Sequence, residues 1–371
     1  MHRRDGVNGA NMDESCSYKG TGRRGIYMNK ESSSRYLGID IGGTAVKFGI
    51  MDAEGSILDR ASFPVDFDGY RTPILTTVLA RAEEFAGGRV RNGEIRAIGV
   101  SATGQIDSHR GTVIGAAGHL PNYIGSEIGP ELKKCFGLPV YTANDANCAL
   151  LGELWLGAAR GLTDVVMVTL GTGVGGGILA NGRLLAGNRG LGGEIGHIII
   201  REEGELCSCG NRGCLEHYAS STALVRRVKE EMIRGNIDRK LFGMKSAAEG
   251  KLTGEETGFP DGKAIFDVIR NGAEDAYSGD LAALKAVVSR WEDDIAAGLV
   301  SLVHIFEPQK ILIGGGVSAA GDCLMNPLRE KVFSRVMPRF ADQLEIEPAA
   351  LRNDAGLAGA VYYAISEEQK I

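Results

Sequence analysis

The sequence lacks a strong charge of either sign and lacks any long apolar run. Charged residues make up 24% of its 371 positions, but both signs are mixed and the formal net charge is only −6. This balance gives no basic field for phosphates, which argues against a nucleic-acid partner. No apolar run approaches the roughly 18 to 20 residues that span a bilayer, and the N-terminus lacks the apolar core of a secretory signal. We therefore predict a soluble, cytoplasmic protein with no membrane partner.

Cysteine is also scarce and unevenly distributed. There are seven cysteines, an odd number, and three of them fall within residues 207–214. A large domain with its own core does not need a disulfide framework, so this crowding favours metal binding. The other four are interpreted as small buried apolar residues. They are Cys16, Cys135, Cys148 and Cys323.

The length and apolar content predict two domains around a cleft. A chain of 371 residues with 43% hydrophobic residues exceeds what one compact core usually organises. Residues 1–35 are polar and aperiodic, which predicts a disordered tail whose arginines alternate with acids. We assign the first domain to residues 36–145, with the C-terminal helix 355–368 as a candidate addition, and the larger second domain to residues 146–354.

Strands and helices alternate along both domains, which predicts an α/β fold. The predicted strands are residues 36–41, 46–51, 56–63, 95–100, 139–144, 310–315 and 344–347, with a further strand pair in 164–185. The predicted helices are residues 73–85, 127–136, 221–234, 263–271, 280–306, 324–336 and 355–365. The long helix 280–306 is expected to cross the domain interface, and residues 235–262 are expected to form a surface excursion.

Two segments share one pattern. Residues 49–58 (GIMDAEGSIL) and residues 177–185 (GILANGRLL) each give strand, turn and strand after a glycine-rich loop. This similarity indicates a duplicated α/β unit. Two unrelated glycine-rich hairpins remain the alternative.

Two glycine-rich turns are candidate phosphate sites. Residues 40–44 (DIGGT) and 170–177 (LGTGVGGG) each lie between two strands, so neither is a Walker or Rossmann motif. Their backbone N–H groups can face a ligand without an intervening Cβ, although either turn alone is more simply structural. Asp40 is placed to hold a magnesium-bound water and Lys47 to approach phosphate. The predicted ATP-binding residues are Asp40, Gly42, Gly43, Thr44, Lys47, Gly171, Thr172, Gly173, Gly175 and, after a third strand, Gly315.

One histidine and three cysteines have the spacing of a zinc site. His197, Cys207, Cys209 and Cys214 give His-x9-Cys-x-Cys-x4-Cys with glycines in the last loop. Four such ligands complete a tetrahedral shell with no open position, which indicates a structural site. Free or disulfide-bonded thiols are the alternative for this cluster.

Asp145 is the candidate catalytic base. It lies where the predicted strand 139–144 meets a helix, the edge at which open α/β sheets bind ligands. Taken alone, it is more simply a helix cap. Phosphoryl transfer to an alcohol, however, needs one carboxylate to accept the hydroxyl proton and little other covalent help, and the neighbouring Asn144 can fix hydroxyl groups.

Two further carboxylates flank the cysteine cluster. Glu194 and Glu216 bracket the proposed zinc ligands, so folding around the metal would bring them near one another. A closed zinc shell leaves no activated water for a hydrolase. Carboxylates that accept hydrogen bonds from vicinal sugar hydroxyls are the better interpretation, and a plain core histidine is a less favoured interpretation of His197.

At these residues the sequence resembles the ROK family, which contains bacterial sugar kinases and related repressors with the actin-like, hexokinase-like ATPase fold. The resemblance extends from about residue 36 to residue 365. The motifs that carry it are LGIDIGGT (37–44), NDAN (144–147), TLGTGVGGG (169–177), GEIGH (193–197), CSCGNRGCLE (207–216) and IGGGVS (313–318).

The resemblance implies a role for each candidate residue. Asp145 matches the catalytic base, and Asn144, Glu194, His197 and Glu216 match hexose contacts. Residues 101–107 (SATGQID), which include Gly104, resemble the family's sugar-side loop without the proline often found there. The same resemblance assigns zinc to the histidine and three cysteines, and ATP to the glycine turns. The family's repressors carry an N-terminal DNA-binding domain, and none fits in residues 1–35, which favours a kinase.

The leading hypothesis is therefore ATP- and Mg²⁺-dependent phosphorylation of a hexose at its primary hydroxyl. Glucose is the first choice, while fructose, mannose and N-acetylated amino sugars stay open because pocket shape decides between them. A sugar sensor without catalysis and a kinase that uses polyphosphate are the alternatives. A homodimer is expected because dimers are the commonest oligomers.

Overall fold

Two five-stranded sheets form the framework of the protein. The computed structural model describes residues 34–115, 120–244, 258–272 and 274–370. Most of the predicted tail, residues 1–33, and the middle of the predicted surface excursion, residues 245–257, lie outside the described residues.

The first sheet has the strand order β3-β2-β1-β4-β7. Its strands are β1 (Arg35–Ile41), β2 (Ala45–Asp52), β3 (Ile57–Pro64), β4 (Ile95–Ala102) and β7 (Val140–Asn144), and a separate hairpin pairs β5 (Gln105–Asp107) with β6 (Thr112–Gly115). β1, β2 and β3 form an antiparallel meander, while β1, β4 and β7 are parallel. β1 is buried almost throughout, because packed elements cover both faces of the sheet.

The second sheet repeats this arrangement. Its order is β10-β9-β8-β11-β12, and its strands are β8 (Val165–Leu170), β9 (Val174–Ala180), β10 (Arg183–Leu184), β11 (Lys310–Gly314) and β12 (Glu345–Pro348). The first three strands are again an antiparallel meander, and β8, β11 and β12 are again parallel. The duplicated α/β fold predicted from the two glycine-rich segments is confirmed.

Ten α-helices are present among the described residues. They are α1 (Ile74–Arg91), α2 (Ile128–Phe136), α3 (Asp145–Leu156), α4 (Leu215–Ala219), α5 (Ser221–Ile233), α6 (Gly262–Asn271), α7 (Ser278–Phe306), α8 (Asp322–Phe333), α9 (Pro338–Ala341) and α10 (Ala355–Glu368). Within that part of the chain, none of them combines the length and the apolar character that a membrane span requires.

The expectation that helix 280–306 crosses between domains is wrong. This helix, α7, packs against α4, α5, α6 and α8, and its buried residues, among them Trp291 and Leu299, belong to the core of the second half. Helices cover it on several sides, so its sequence is apolar over a wide arc. A sequence pattern alone does not distinguish such a core helix from one at an interface.

The helix α3 joins the two sheets, and α10 packs beside it on the first sheet. α3 contacts β4 and β7 of the first sheet and β8 and β9 of the second, while α10 packs along α3 and against β1, β2, β4 and β7. Glycines permit the close approach: a Cβ at Gly359 would collide with the carbonyl of Cys148, and one at Gly99 would collide with the carbonyl of Ala360. The two helices therefore pack almost backbone to backbone.

We predict that Gly359→Ala lowers the free energy of unfolding by about 1–3 kcal/mol, because the added methyl overpacks the α3–α10 contact. Gly88→Ala is the matched control, since Gly88 is exposed on α1 and a Cβ there meets no atom within 4 Å. The control should gain about 0.5–1 kcal/mol from the better helix propensity of alanine. Urea unfolding measures both, and equal stability of the two variants would contradict the packing argument.

Candidate functional site

The carboxyl ends of three parallel strands form one edge. Ile41 on β1 pairs with Ala102 on β4, and Ala102 pairs with Asn144 on β7. Asp40 therefore lies at the same edge as the residues that follow β4 and β7. Ser101 donates a hydrogen bond from its hydroxyl to Asp40 Oδ1 over 2.8 Å. This is the edge at which α/β sheets place ligands.

Asn144, and not Asp145, is the N-cap of α3. Its side-chain Oδ1 accepts hydrogen bonds from the backbone N–H groups of Ala146 (2.9 Å) and Asn147 (3.3 Å). Asp145 is the first helical residue, and its Oδ1 accepts a second contact from the Ala146 N–H at 2.8 Å. The capping alternative for Asp145 is thereby set aside, and one carboxylate oxygen has no backbone partner.

Asp145 sits in surroundings that disfavour its charge. Burial, followed by the negative charges of Asp40 and, more weakly, Glu194, raises the pKa of the Asp145 carboxyl to about 6. The hydrogen bond from the Ala146 N–H and, more weakly, the nearby Thr103 hydroxyl lower the pKa and oppose this rise. A carboxylate with a pKa near 6 is still ionised at neutral pH and is a stronger proton acceptor than an ordinary aspartate.

A cavity opens beside Asn144 and Glu194. It is lined by Gln105, Ile106, Asn144, Gly175, Gly176, residues 190–193 and Glu194. The Asn144 amide nitrogen donates to the carbonyl of Gly104 over 2.8 Å, which holds the loop after β4 against the start of α3. The sequence interpretation missed Gln105 and residues 190–193. The signals were there, because Gln105 lies inside the segment 101–107 and residues 190–193 read GLGG.

The first glycine turn, residues 42–44, is closed by its own backbone. The Gly42 N–H donates to the Ala45 carbonyl over 2.9 Å, and the Tyr70 hydroxyl donates to the Gly43 carbonyl over 2.7 Å; Thr44 is exposed. Lys47 lies opposite Asp40 on β2, with its Nζ 3.2 Å from Asp40 Oδ2 and 3.0 Å from the carbonyl of Asn353. Of the predicted residues around the first turn, the structure places Lys47 against the Asp40 carboxylate.

The second glycine turn, residues 171–175, is held from outside by α5. The Ser221 N–H (2.9 Å) and hydroxyl (2.6 Å) both donate to the Gly171 carbonyl, and the Thr222 hydroxyl donates to the Thr172 carbonyl over 2.9 Å. Gly315, in a left-handed conformation with φ +84°, lies so close to Leu170 that a Cβ would overlap its backbone. The structure thus groups Gly315 with this turn.

The second turn lies against the start of α3. Gly175 packs against Ala146, the residue after Asp145. No hydrogen bond joins residues 42–44 to residues 171–175 among the described residues. Residues 171–175 are therefore neighbours of the Asp145 region.

Glu216 is engaged by the second turn. Its Oε2 accepts a hydrogen bond from the Val174 N–H over 3.1 Å, and it lies against Gly173 so closely that a Cβ there would collide with it. Glu194 is exposed, and its Oε2 lies 4.0 Å from His197 Nε2. Of the predicted sugar contacts, the structure pairs Glu194 with His197 and places Glu216 against the second glycine turn.

The histidine and three cysteines converge. Their four donor atoms all lie within 4.8 Å of one another. Cys207 Sγ is 3.7 Å from His197 Nδ1, and Cys209 Sγ is 3.6 Å from Cys214 Sγ. Zn–S bonds of about 2.3 Å in a tetrahedron place two sulfurs about 3.8 Å apart, so this donor set fits zinc. The Cys209–Cys214 separation is far beyond a disulfide bond of about 2.05 Å, and the thiols are free.

His197 has one ring nitrogen for each of its two predicted roles. Nδ1 faces Cys207 in the cluster, while Nε2 faces Glu194. A zinc ligand and a sugar contact are therefore compatible in one side chain.

Ion pairs to the buried Asp294 fix the cluster loop to the core. Asp294 on α7 accepts from Arg201 (2.6 Å) and from Arg227 (2.5 Å), one through each carboxylate oxygen. The Arg201 guanidinium also stacks 4.4 Å from the centre of the Tyr218 ring. On the same helix, Trp291 donates to the carbonyl of Ser220, which caps α5. α7 therefore anchors both the cysteine loop and the helix that holds the second glycine turn.

Three features define the actin-like, hexokinase-like class of ATPase fold. They are two sheets of the same topology, a glycine turn after the first strand of each sheet, and an aspartate at the edge where β1, β4 and β7 end. Comparison with known proteins narrows this class. The ROK family model matches residues 36–367, and the chain belongs to that family.

Individual relatives agree with this assignment. The chain is 34% identical to a glucokinase of Thermotoga maritima over 328 residues, which are 88% of this chain and 96% of the relative. It is 36% identical to a glucokinase of Streptomyces coelicolor, with 87% and 95% covered. Among solved structures, a ROK family glucokinase from Streptomyces griseus in complex with glucose and AMPPNP superposes with a TM-score of 0.71 at 32% identity, covering 88% of this chain and 98% of that one.

We predict that the purified chain contains about one zinc per molecule and that Cys209→Ser weakens zinc retention at least about tenfold, because one of four ligands is lost. Cys135→Ser is the matched control, since both cysteines are exposed and Cys135 lies on α2, outside the cluster. Metal analysis after dialysis against a weak chelator measures the effect. A wild-type chain that is free of zinc and fully stable would contradict the prediction.

Proposed function

We propose that the chain is an ATP-dependent hexose kinase that phosphorylates the primary hydroxyl of glucose. The observation that carries the proposal is Asp145, a carboxylate with a raised pKa at the shared strand edge, next to the second glycine turn and beside the cavity lined by Asn144 and Glu194. Family membership and glucokinase relatives at 34–36% identity support the same reaction.

Asp145 accepts the proton of the attacking hydroxyl. A base for this step must be ionised before the reaction and must lie within hydrogen-bond reach of the hydroxyl. The carboxylate accepts a hydrogen bond from the Ala146 N–H through Oδ1, which leaves acceptor capacity for substrate. Because phosphoryl transfer depends mainly on positioning and charge stabilisation, little other covalent help is required.

The sugar hydroxyls are held by groups around the cavity. Glu194 is an exposed acceptor on the cavity wall, and Asn144 has a second amide hydrogen beyond the one given to Gly104. His197 reaches Glu194 through Nε2. Gln105, unassigned by the sequence interpretation, offers both a donor and an acceptor at the same cavity.

The glycine turns would bind the ATP phosphates through backbone N–H groups, and Asp40 would hold the magnesium that accompanies the nucleotide. The Asp40 oxygens each have one partner, Ser101 or Lys47, and each retains a lone pair, which suits a hard cation with water ligands. Bound magnesium would neutralise charge on the phosphates. Lys47 supplies positive charge beside the same carboxylate.

Zinc in the cluster of His197, Cys207, Cys209 and Cys214 would be structural, since four protein ligands leave no open position. When bound, it would cross-link the loop that carries His197 to the loop that precedes α4. Glu216 is on α4, directly after the cluster. The metal would therefore fix the start of α4, from which Glu216 contacts the second glycine turn.

The proposal also includes the division into two domains, the localisation and the oligomeric state. The first domain would comprise residues 36–145 with α10, which packs on the first sheet, and the second would comprise residues 146–354. A cytoplasmic homodimer without nucleic-acid partners is expected, and sedimentation of the purified chain would give the oligomeric state.

The test of the proposed function is a panel of glucose, fructose, mannose, N-acetylglucosamine and N-acetylmannosamine with ATP or polyphosphate as donor. We expect glucose with ATP to have the highest kcat/KM. Preference for another hexose would reassign the substrate, and preference for polyphosphate would reassign the donor. No turnover of any hexose by folded protein would leave a sugar-binding protein without kinase activity.

We expect Asp145→Asn to lower kcat at least about 100-fold while hexose binding, measured by calorimetry, stays within a few-fold, because the amide keeps the shape and loses the proton acceptor. Asp59→Asn is the control, since Asp59 lies on the edge strand β3 and is paired with Arg89. It should leave kcat unchanged. Near-wild-type turnover in Asp145→Asn would show that another group takes the proton.

A further inference from the structure

The loop that follows β3 contacts the first glycine turn through the carbonyl groups of the turn. The Tyr70 hydroxyl donates a hydrogen bond to the carbonyl of Gly43 over 2.7 Å, and the Val65 N–H donates to the carbonyl of Thr44 over 2.9 Å. The Tyr70 side chain is half-buried, and its ring packs against the core of the first half. The loop therefore holds two successive peptide groups of the turn.

These contacts fix the direction of the N–H groups in the turn. The C=O and N–H of a trans peptide lie in one plane and point in opposite directions. Because the Gly43 carbonyl faces Tyr70, the Thr44 N–H faces away from the loop. In the part of the chain that the structure describes, the N–H groups of Gly43 and Thr44 have no acceptor on the protein. Both groups are therefore open to an anionic ligand.

Tyr70 makes its contact from a strained backbone. Its φ is +60°, in the left-handed region that bulky residues rarely adopt. The Gly69 N–H donates to the carbonyl of Asp66 over 2.9 Å. The Asp68 carboxylate accepts from the N–H (2.9 Å) and the hydroxyl (2.8 Å) of Thr72. Strain of this kind persists only where surrounding contacts impose it, and it is concentrated at functional sites.

The second glycine turn is held in the same way. The Ser221 hydroxyl donates to the carbonyl of Gly171, and the Thr222 hydroxyl donates to the carbonyl of Thr172. In both turns, hydroxyl groups from a separate segment bind carbonyl oxygens. A carbonyl oxygen carries partial negative charge and would repel a phosphate, so its attachment elsewhere favours anion binding by the turn.

We propose that Tyr70 is a positioning residue for ATP: its hydroxyl fixes the Gly43 carbonyl and thereby directs the Thr44 N–H toward the phosphates. The inference rests on the proposed function, in which the first glycine turn binds ATP. It adds a residue that acts through the turn and that does not line the sugar cavity.

The glycines make this restraint necessary. Gly42 and Gly43 have no Cβ, so their peptide groups have more accessible orientations than those of other residues. Without the hydroxyl, the Gly43 carbonyl would have no fixed partner, and ATP binding would have to order the peptide group as well. Affinity for the phosphates would fall, while the sugar cavity would be unchanged.

The deciding experiment compares Tyr70→Phe with the wild type. Phenylalanine keeps the ring and lacks the donor. We expect KM for ATP to rise about fivefold, the typical effect of one hydrogen bond. The values of kcat and of KM for glucose should stay within about twofold, because the turn binds the phosphates before and during transfer.

Direct binding separates the phosphates from the rest of the nucleotide. Calorimetry with AMPPNP, a non-hydrolysable ATP analogue, should show the same weakening of about fivefold in Tyr70→Phe. Adenosine has no phosphate groups. Its affinity, measured by ligand-observed NMR, should be equal for the variant and the wild type.

Tyr362→Phe is the matched control. Tyr362 is also half-buried, lies on α10 and stacks on Trp155 of α3, with ring centres 5.6 Å apart. Its replacement likewise removes one tyrosine hydroxyl and should leave all these constants unchanged. Tyr70→Asn is a second variant, because asparagine adopts the left-handed region readily and its side chain is much shorter. It should weaken binding of the analogue at least as much as Tyr70→Phe.

Each outcome separates the hypotheses. Unchanged affinity for the analogue in folded Tyr70→Phe would overturn the role of Tyr70 alone. Equal weakening of the analogue and adenosine, or an equal rise in KM for glucose, would also overturn it, because the effect would not be specific to the phosphates. Wild-type protein that binds the analogue and turns over no hexose would refute the proposed kinase and leave the binding test of Tyr70 valid. Wild-type protein that does not bind the analogue would refute both.

Discussion

The in-register parallel pairing of β1, β4 and β7 is the constraint on which the candidate site depends. Because Ile41, Ala102 and Asn144 lie in one row, the chain emerges from three strands at one edge, and the residues with chemistry converge there without any special loop. A shift of one residue in β7 would turn Asp145 to the opposite face. The glycines of β1 and β4 support this register, since α10 packs against Gly38 and Gly99 where no side chain fits.

At this edge burial and hydrogen bonding act on Asp145 in opposite directions. Burial and nearby carboxylates favour the neutral acid, whereas the first turn of α3 and the residue after β4 favour the anion. The compromise is a carboxylate that is ionised near neutral pH and still binds protons well. The cap of α3 contributes because Asn144 accepts the hydrogen bonds of the first helix N–H groups. Asp145 therefore keeps acceptor capacity for a substrate. An aspartate that served as the cap would have that capacity committed to the backbone.

The parts of the structure that depend on local sequence were predictable. The glycine turns, the Cys/His spacing and the position of Asp145 at the end of a strand could be derived from short segments, and the strand and helix ranges agree to within a few residues apart from a longer α1. The tether from Arg201 to Asp294 joins positions 93 residues apart, and no periodic pattern marks either residue. The contact of Glu216 with Val174 likewise depends on how separate elements dock. The wide apolar arc of α7 is typical both of a core helix and of a helix at a domain interface. Only the elements that pack against α7 distinguish the two.

The packing of α10 on the first sheet has a consequence for how the protein is made. A ribosome delivers β1 to β7 long before residues 355–368, yet Gly38 and Gly99 are covered by Leu357, Ala360 and Val361. Until α10 has been synthesised, one face of the first sheet stays uncovered. That face is exposed throughout the synthesis of the second half. Contacts so distant in sequence slow folding and leave apolar surface open to aggregation. The first α/β unit is therefore completed last, and chaperone dependence during synthesis is the expected cost of a fold whose final helix closes its first sheet.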